Sequence, residues 1–358
     1  MVSNNPMIKS LKIGARPVGP GRPCFIIAEA GVNHDGDVKI ALRLVDAAAE
    51  AGADAVKFQT FRAERMASAA AFKAAYQKRQ APARQSQLEM LKSLELSETA
   101  HRQIIARCRK HSLLFLSTPF DDLSADFLES LNVPAFKIPS GELTNWPLLS
   151  HIARKDRPMI VSTGMSYLKE IREALAVIRK AGNPPVILLH CVSNYPAHPA
   201  TANLRAMKTL EDAFSLPIGF SDHAQGLEVS LAAAALGAAV LEKHFTLDKN
   251  RRGPDHFFSL EPRELEAWVK GIRVVESALG HGRKEPAAGE LEIAAVARKS
   301  LVAARFIPAG ARLTANAIAV KRPGTGIPPS QLPKLLGRKT SRDIPPDLLL
   351  SWDMLKLR

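Results

Sequence analysis

Residues 217–256 read PIGFSDHAQGLEVSLAAAALGAAVLEKHFTLDKNRRGPDH, and this stretch decides the fold. Its first apolar run ends in Ser221-Asp222-His223 and leads into an Ala-rich segment of helical character. A second apolar run ends in Glu242-Lys243-His244. Two buried-strand signals around one helical segment make a parallel βαβ unit. Both strands of such a unit point the same way, so His223 and His244 emerge together at the carboxyl end of the sheet. That is where α/β folds place their ligands. Two imidazoles on adjacent strand ends can hold one divalent metal and leave its other positions open for substrate and water. One His at a strand end is ordinarily a hydrogen-bonded structural residue. The matched pair, each beside a charged residue, is what favours a metal.

The same texture recurs on either side. Residues 24–31, 55–60, 113–118, 135–139, 159–163, 186–191, 217–221 and 239–244 read as strands. Helical spacing fills the intervals, as in 97–110, 168–180 and 261–279, and Asp37 can cap the first helix. Eight strands, each followed by a helix, is the tally of a (β/α)8 or TIM barrel. An open doubly wound sheet is the rival, but no GxGxxG turn follows the first strand. Polar residues gather where these strands end: Glu29, Lys57 with Gln59, Thr118, Lys137 with Ser140 and Glu142, and Ser162 with Thr163. The later strands add His190 with Ser193 and Asn194, Ser221 with His223, and His244. Polar tips on an apolar body are expected when strand ends and loops build one site on a rigid core. Residues 62–87 read as a long βα loop able to cover that site, or as a plain surface insertion.

Composition narrows the function classes. The formal charge is +14, and residues 281–358 hold 14 Lys and Arg against 6 Asp and Glu. That tail has no interleaved aromatics and no helix-turn-helix or finger signature, so an anionic small substrate or a solvated surface fits better than nucleic acid. Cys24, Cys108 and Cys191 lie far apart without CxxC spacing, which argues against a disulfide framework or a zinc-thiolate site. No run is apolar for long enough to span a membrane and no signal-peptide pattern opens the chain, so a cytoplasmic location without a membrane partner is expected. The barrel is expected over 1–280. Residues 281–298 read as a polar linker, and 299–358 as a small domain of short strands.

Lys57 and Lys137 end strands on an apolar background, so each must pair with a carboxylate or meet an anion. With the hydroxyls of Thr118, Ser140, Ser162 and Ser221 they can form a phosphate or carboxylate pocket; structural salt bridges are the competing reading. Glu29 and Glu142 can serve as general acid or base, bind sugar hydroxyls, or simply partner the lysines. Asp255, in the Gly253-Pro254-Asp255-His256 turn, can be a site residue or a helix cap.

The strings FIIAEAGVNHDGD, ADAVKFQTF, FLSTPFD, FKIPSGELTN, LLHCVSNYPA, GFSDH, LEKHFTLD and GPDH resemble the sialic acid (N-acetylneuraminate) synthase family. The region with KRPGTGI resembles its C-terminal antifreeze-like SAF domain, a β-clip fold. The resemblance runs in order along nearly the whole chain. It implies condensation of phosphoenolpyruvate with N-acetylmannosamine and water, giving N-acetylneuraminic acid and phosphate. It also implies a divalent metal on His223 and His244, usually manganese, with magnesium and cobalt as the other candidates. The metal polarises the sugar aldehyde for attack by C3 of phosphoenolpyruvate. Lys57, Thr118, Lys137, Ser140, Ser162, Ser221 and Asn194 (or its neighbour Ser193) match the phosphoenolpyruvate pocket. Gln59, Glu142, Tyr195, Asp255 and Arg322 match the sugar side, and Glu29 stands near the reacting carbons. By the same resemblance the small domain of one subunit supplies Arg322 to its partner's barrel, making a domain-swapped homodimer.

Within this chemistry the alternative is a legionaminic acid synthase acting on 2,4-diacetamido-2,4,6-trideoxymannose, since the Tyr76-Gln77-Lys78 and YPAHP surroundings leave the sugar open. The pseudaminic branch fits less well, because its first-strand motif differs from AEAGVNHDGD. From another class, the last domain admits a carbohydrate- or ice-binding protein without catalysis, which would leave the polar strand tips without purpose.

Overall fold

A residue that alternates with an apolar neighbour along a strand faces the opposite side of the sheet. When both sides are buried, the strand reads as a continuous apolar run. The runs noted above are of this kind, and the structure, a computed structural model, shows both destinations. It describes residues 8–74, 77 and 85–356. The chain divides into two compact units, Met1–Gly280 and His281–Arg358.

The first unit opens with a hairpin of β1 (Leu11–Ile13) and β2 (Arg16–Val18). Eight parallel strands follow: β3 (Phe25–Gly31), β4 (Ala55–Thr60), β5 (Leu114–Pro119), β6 (Phe136–Ile138), β7 (Met159–Ser162), β8 (Val186–Cys191), β9 (Ile218–Asp222) and β10 (Val240–His244). Hydrogen bonding runs in the order β5-β4-β3-β10-β9-β8-β7-β6, so the first and last thirds of the unit meet where β10 pairs with β3. Only the β5–β6 seam lacks a ladder among the described residues, and the result is a nearly closed barrel jacketed by helices. The fold class read from the sequence is the one observed.

Outward-facing residues such as Ile26, Val56, Phe58, Val161, Leu188 and Leu241 pack beneath the helices in the larger core. Inward-facing residues of the lower barrel, among them Phe25, Ile27, Leu116, Ile160, Ile187 and Val240, form a separate core with Ile13 and Val18. The hairpin therefore shares the apolar filling of the barrel's amino end. It lies ahead of the strands expected from the sequence, the first of which is expected at 24–31. Its signal is short: two three-residue strands joined by Gly14-Ala15, with Gly14 at φ +60°, a turn geometry that glycine adopts without strain.

Helix termini follow the capping signals. Asp37 accepts from the Lys39 amide at the start of Val38–Glu50, and Ser97 accepts from the Ala100 amide at the start of Glu98–Lys110. Residues 62–87, read as one loop, contain a short helix at Ala63–Met66, and the helix Gln87–Ser93 starts at their end. Positions 75–76 and 78–84 of that stretch lie outside the described residues.

In the second unit β11 (Ser300–Ala303) pairs antiparallel with β12 (Ile318–Lys321), and isolated bridges such as Ile307 to Ile344 complete a small β-rich body. Its core holds Leu301, Leu313, Ile327, Leu335, Ile344 and Leu350. Part of the stretch read as linker is ordered here: Glu290–Ala297 is a helix, and the Gly324 amide donates to the carbonyl of Ala295 at 2.7 Å.

Candidate active site

Moving two residues up the inward-facing register of most strands changes the barrel interior from apolar to polar or charged. Phe25 and Ile27 give way to Glu29, Ala55 to Lys57, Leu116 to Thr118, Ala135 to Lys137, Ile160 to Ser162, and Val240 to Glu242 and then His244. Neighbouring strands place Glu29 beside both Lys57 and His244, and Ser221 beside Glu242. All of these side chains are buried.

Burying two ammonium groups requires compensation, and the partners are visible. Lys57 Nζ lies 2.6 Å from Glu29 Oε2 and 3.7 Å from Glu242 Oε2, and it donates to Thr118 Oγ1 at 3.1 Å. Lys137 Nζ lies 3.4 Å from Glu242 Oε1 and donates to Ser162 Oγ at 2.8 Å. Ser221 donates to Glu242 Oε1 at 2.9 Å. Two carboxylates thus neutralise two ammonium groups, with three hydroxyls completing the shell. Burial drives the Glu29 carboxyl up to about 7 against the pull of Lys57. Burial acts on Glu242 in the same sense, but Lys137 and Lys57 outweigh it and hold that carboxyl below its ordinary range.

Glu242 was not among the candidates from sequence. Its signal was period two: two residues before His244, it must face the same side of the strand, whereas Lys243 faces outward. Lys243 there bonds Asp222 at 2.8 Å. His190 likewise faces outward, bonded to the Ala202 carbonyl at 2.8 Å, and takes no part in the cluster.

The two imidazoles meet at the mouth of the barrel. Their ring centroids are 5.7 Å apart at an interplanar angle of 53°. His223 Nδ1 donates to the Val192 carbonyl at 2.8 Å, which leaves Nε2 as the lone-pair nitrogen. His244 Nδ1 is buried without a hydrogen-bond partner, 3.9 Å from Asp255 Oδ2. Burial lowers the pKa of His223 to about 4 and that of His244 well below its usual value, the latter helped by the neighbouring His223. Uncharged rings with a free nitrogen suit a divalent cation. Among the described residues no group of three or more His, Cys, Asp or Glu is arranged to hold a metal ion, so the protein would offer two imidazoles.

Above the cluster opens a cavity of about 600 Å³, whose lining includes Gln59, Ser140, Asn194, Tyr195, His244 and Asp255. The Tyr195 ring lies against that of His223, centroids 4.4 Å apart and planes tilted by 44°. Two glycines keep the space clear. A Cβ on Gly31 would meet Glu29 Oε1 at 3.1 Å and His244 Cε1 at 3.4 Å; one on Gly164 would collide with Ser193 Oγ and meet Ser140 Oγ at 2.8 Å. Both Ser193 and Asn194, the two candidates for one position, line the cavity. Burial raises the Asp255 carboxyl to about 6; its side chain caps no helix. Glu142 sits outside the lining, taking a hydrogen bond from Asn145 at 2.6 Å. Arg322 belongs to the second unit, exposed, with Nε donating to the Ala297 carbonyl at 3.1 Å.

Comparison with known proteins bears on this constellation. Residues 44–284 match the model of the NeuB family, and residues 298–356 match that of the SAF domain. The chain belongs to the NeuB family. NeuB proteins are sialic and other nonulosonic acid synthases, and this member carries the C-terminal SAF domain. It is 46% identical over 347 residues to an N,N'-diacetyllegionaminic acid synthase of Legionella pneumophila, covering 96% of this chain and 98% of the relative. Identity to the N-acetylneuraminate-9-phosphate synthase of Mus musculus is 38% over 326 residues, covering 90% of each. The crystal structure of the spore coat polysaccharide biosynthesis protein SpsE of Bacillus subtilis superposes with a TM-score of 0.66 at 41% identity, covering 98% of this chain and 100% of that one. NeuB enzymes generally use a divalent metal, and the paired neutral imidazoles fit one. No helix among the described residues is long and apolar enough to cross a membrane.

Proposed function

We propose that this chain condenses phosphoenolpyruvate with 2,4-diacetamido-2,4,6-trideoxymannose and water, giving N,N'-diacetyllegionaminic acid and inorganic phosphate. The observation that carries the reaction class is the buried Lys57–Glu242–Lys137 group set beside two uncharged imidazoles at the same end of the barrel. The sugar assignment follows the relatives: identity to the legionaminic acid synthase is 46%, against 38% for the N-acetylneuraminate-9-phosphate synthase. N-Acetylmannosamine, the first choice from sequence, becomes the second.

Lys57 and Lys137, with Thr118, Ser140, Ser162, Ser221 and Asn194, receive the phosphate and carboxylate of phosphoenolpyruvate. Glu29 and Glu242 hold the two lysine side chains in place before the substrate arrives, so the anion meets oriented donors at little reorganisation cost. His223 and His244 would hold a divalent cation, Mn2+ by the family resemblance, which when bound supplies Lewis-acid polarisation of the sugar aldehyde. Gln59, Tyr195 and Asp255, which line the cavity, receive the sugar, and Arg322 comes from the partner subunit of a homodimer. Glu29, with its carboxyl pushed up to about 7, can give or take a proton near neutrality at the water that adds to C2.

Phosphate release measured with each sugar in turn, at saturating phosphoenolpyruvate and Mn2+, tests the proposal. The diacetamido sugar should give the higher kcat/KM. A preference for N-acetylmannosamine would reverse the sugar assignment, and release with neither would remove the function.

A further inference from the structure

Two loop segments that neither the lysine cluster nor the histidine pair accounts for, residues 33–37 and 251–259, are tied together around Asp255. Asn33 Nδ2 donates both to the Phe245 carbonyl at 2.8 Å and to Ser259 Oγ at 3.0 Å, and Ser259 Oγ donates to the carbonyl of Asp255 at 2.5 Å. On the other side, His256 Nε2 donates to Asp35 Oδ1 at 2.9 Å, while His256 Nδ1 shares a hydrogen bond of 2.6 Å with the Thr246 hydroxyl. Arg251 grips the other oxygen of Asp35 through Nε at 3.0 Å and its guanidinium terminus at 2.8 Å. Asn33, His256 and Ser259 are at most 1% exposed.

Asp255 is therefore held from both flanks by the loop that follows β3, across more than two hundred positions of sequence. Gly253 completes the fit. A Cβ there would lie 2.6 Å from His256 Cδ2, 2.8 Å from His256 Nε2 and 3.0 Å from Asp35 Oδ1, so the turn lies flat on the His256–Asp35 pair. Asp255 itself faces the cavity, 3.9 Å from His244. A rigid tether costs backbone freedom and gains accuracy where a carboxylate must meet a substrate hydroxyl or amide.

We infer that His256, oriented by Asp35 and Thr246, is a positioning residue that acts with Asn33 to fix the Asp255 carboxylate against the sugar. The inference rests on the proposed role of Asp255 as a sugar ligand. It extends that role to His256, Asp35, Thr246 and Asn33, none of which lines the cavity.

The test is steady-state kinetics of His256→Ala, His256→Gln and Gly253→Ala beside wild type, with thermal midpoints recorded for each. His256→Ala should raise the sugar KM about tenfold or more and leave the phosphoenolpyruvate KM unchanged. His256→Gln, which keeps a donor toward Asp35, should recover much of the loss. Gly253→Ala, which removes no hydrogen bond, should reproduce the sugar defect by displacing the turn. Combining His256→Ala with Asp255→Ala should add little to Asp255→Ala alone. Folded variants with wild-type sugar KM, or with both KM values raised alike, would overturn the inference while leaving the proposed reaction standing. Wild-type protein without turnover on either sugar would overturn both.

Discussion

The lower and upper halves of the barrel interior are built from the same strands and differ in almost everything else. Below, Ile13, Val18, Phe25, Ile27, Ile160 and Ile187 fill the space with hydrocarbon, and nothing there can react. One inward step higher, roughly 7 Å along each strand, stand Glu29, Lys57, Lys137 and Glu242, with the two histidines a further step above. The lower half stabilises the fold by removing apolar surface from water. The upper half holds charges whose burial costs stability unless each finds a partner. Stability and chemistry are thus separated along one axis, and the apolar floor makes the charged layer affordable.

That contrast can be broken experimentally. Lys137→Ala, in the upper half, should lower kcat/KM for phosphoenolpyruvate by about a thousandfold, at the upper end of what a lost preorganised charge costs. Near-normal phosphoenolpyruvate kinetics in that variant would mean that the charged layer is structural. Glu242→Leu should damage both halves of the account: with its carboxylate gone, Lys57 and Lys137 lose a shared counter-ion. Urea unfolding should then show a loss of about 3–5 kcal/mol together with failed turnover. A stability equal to wild type would show that Glu29 alone compensates both lysines.

Ile160→Ala, in the lower half, should cost about 2–5 kcal/mol in the same unfolding experiment. Its kinetic constants per folded molecule should stay at wild-type values; a changed KM would show that the two halves are coupled. The mildest effect is expected from Gly164→Ala, whose methyl would press on Ser140 and Ser193. A rise of about tenfold or less in the phosphoenolpyruvate KM, with unfolding unchanged, would sharpen the boundary of the pocket.

The barrel was legible because strands buried on both faces read as unbroken apolar runs with polar tips. The paired histidines were legible for the same reason, since parallel strands place equivalent ends side by side. What escaped did so for identifiable causes. The hairpin of β1 and β2 has only three residues per strand, too few to show a period. Glu242 stands between apolar Leu241 and Lys243; its spacing from His244 turns it inward, but its shared role with the two lysines appears only once the strands are assembled. The bracing of Asp255 by Asn33 and Asp35 joins residues more than two hundred positions apart, and no local pattern encodes such a contact. The helix Glu290–Ala297 was read as linker because its eight residues follow a Gly- and Pro-containing polar stretch.

The central claim is that His223 and His244 share one cation on which turnover depends. Calorimetric titration of Mn2+ into metal-free protein, with phosphate release followed in parallel, tests it most directly. Wild type should bind a single Mn2+ and release phosphate only when metal, phosphoenolpyruvate and amino sugar are all present. The His223→Ala/His244→Ala protein, folded by circular dichroism, should do neither. Turnover that survives exhaustive chelation, or a double variant that keeps metal-dependent phosphate release, would contradict the account.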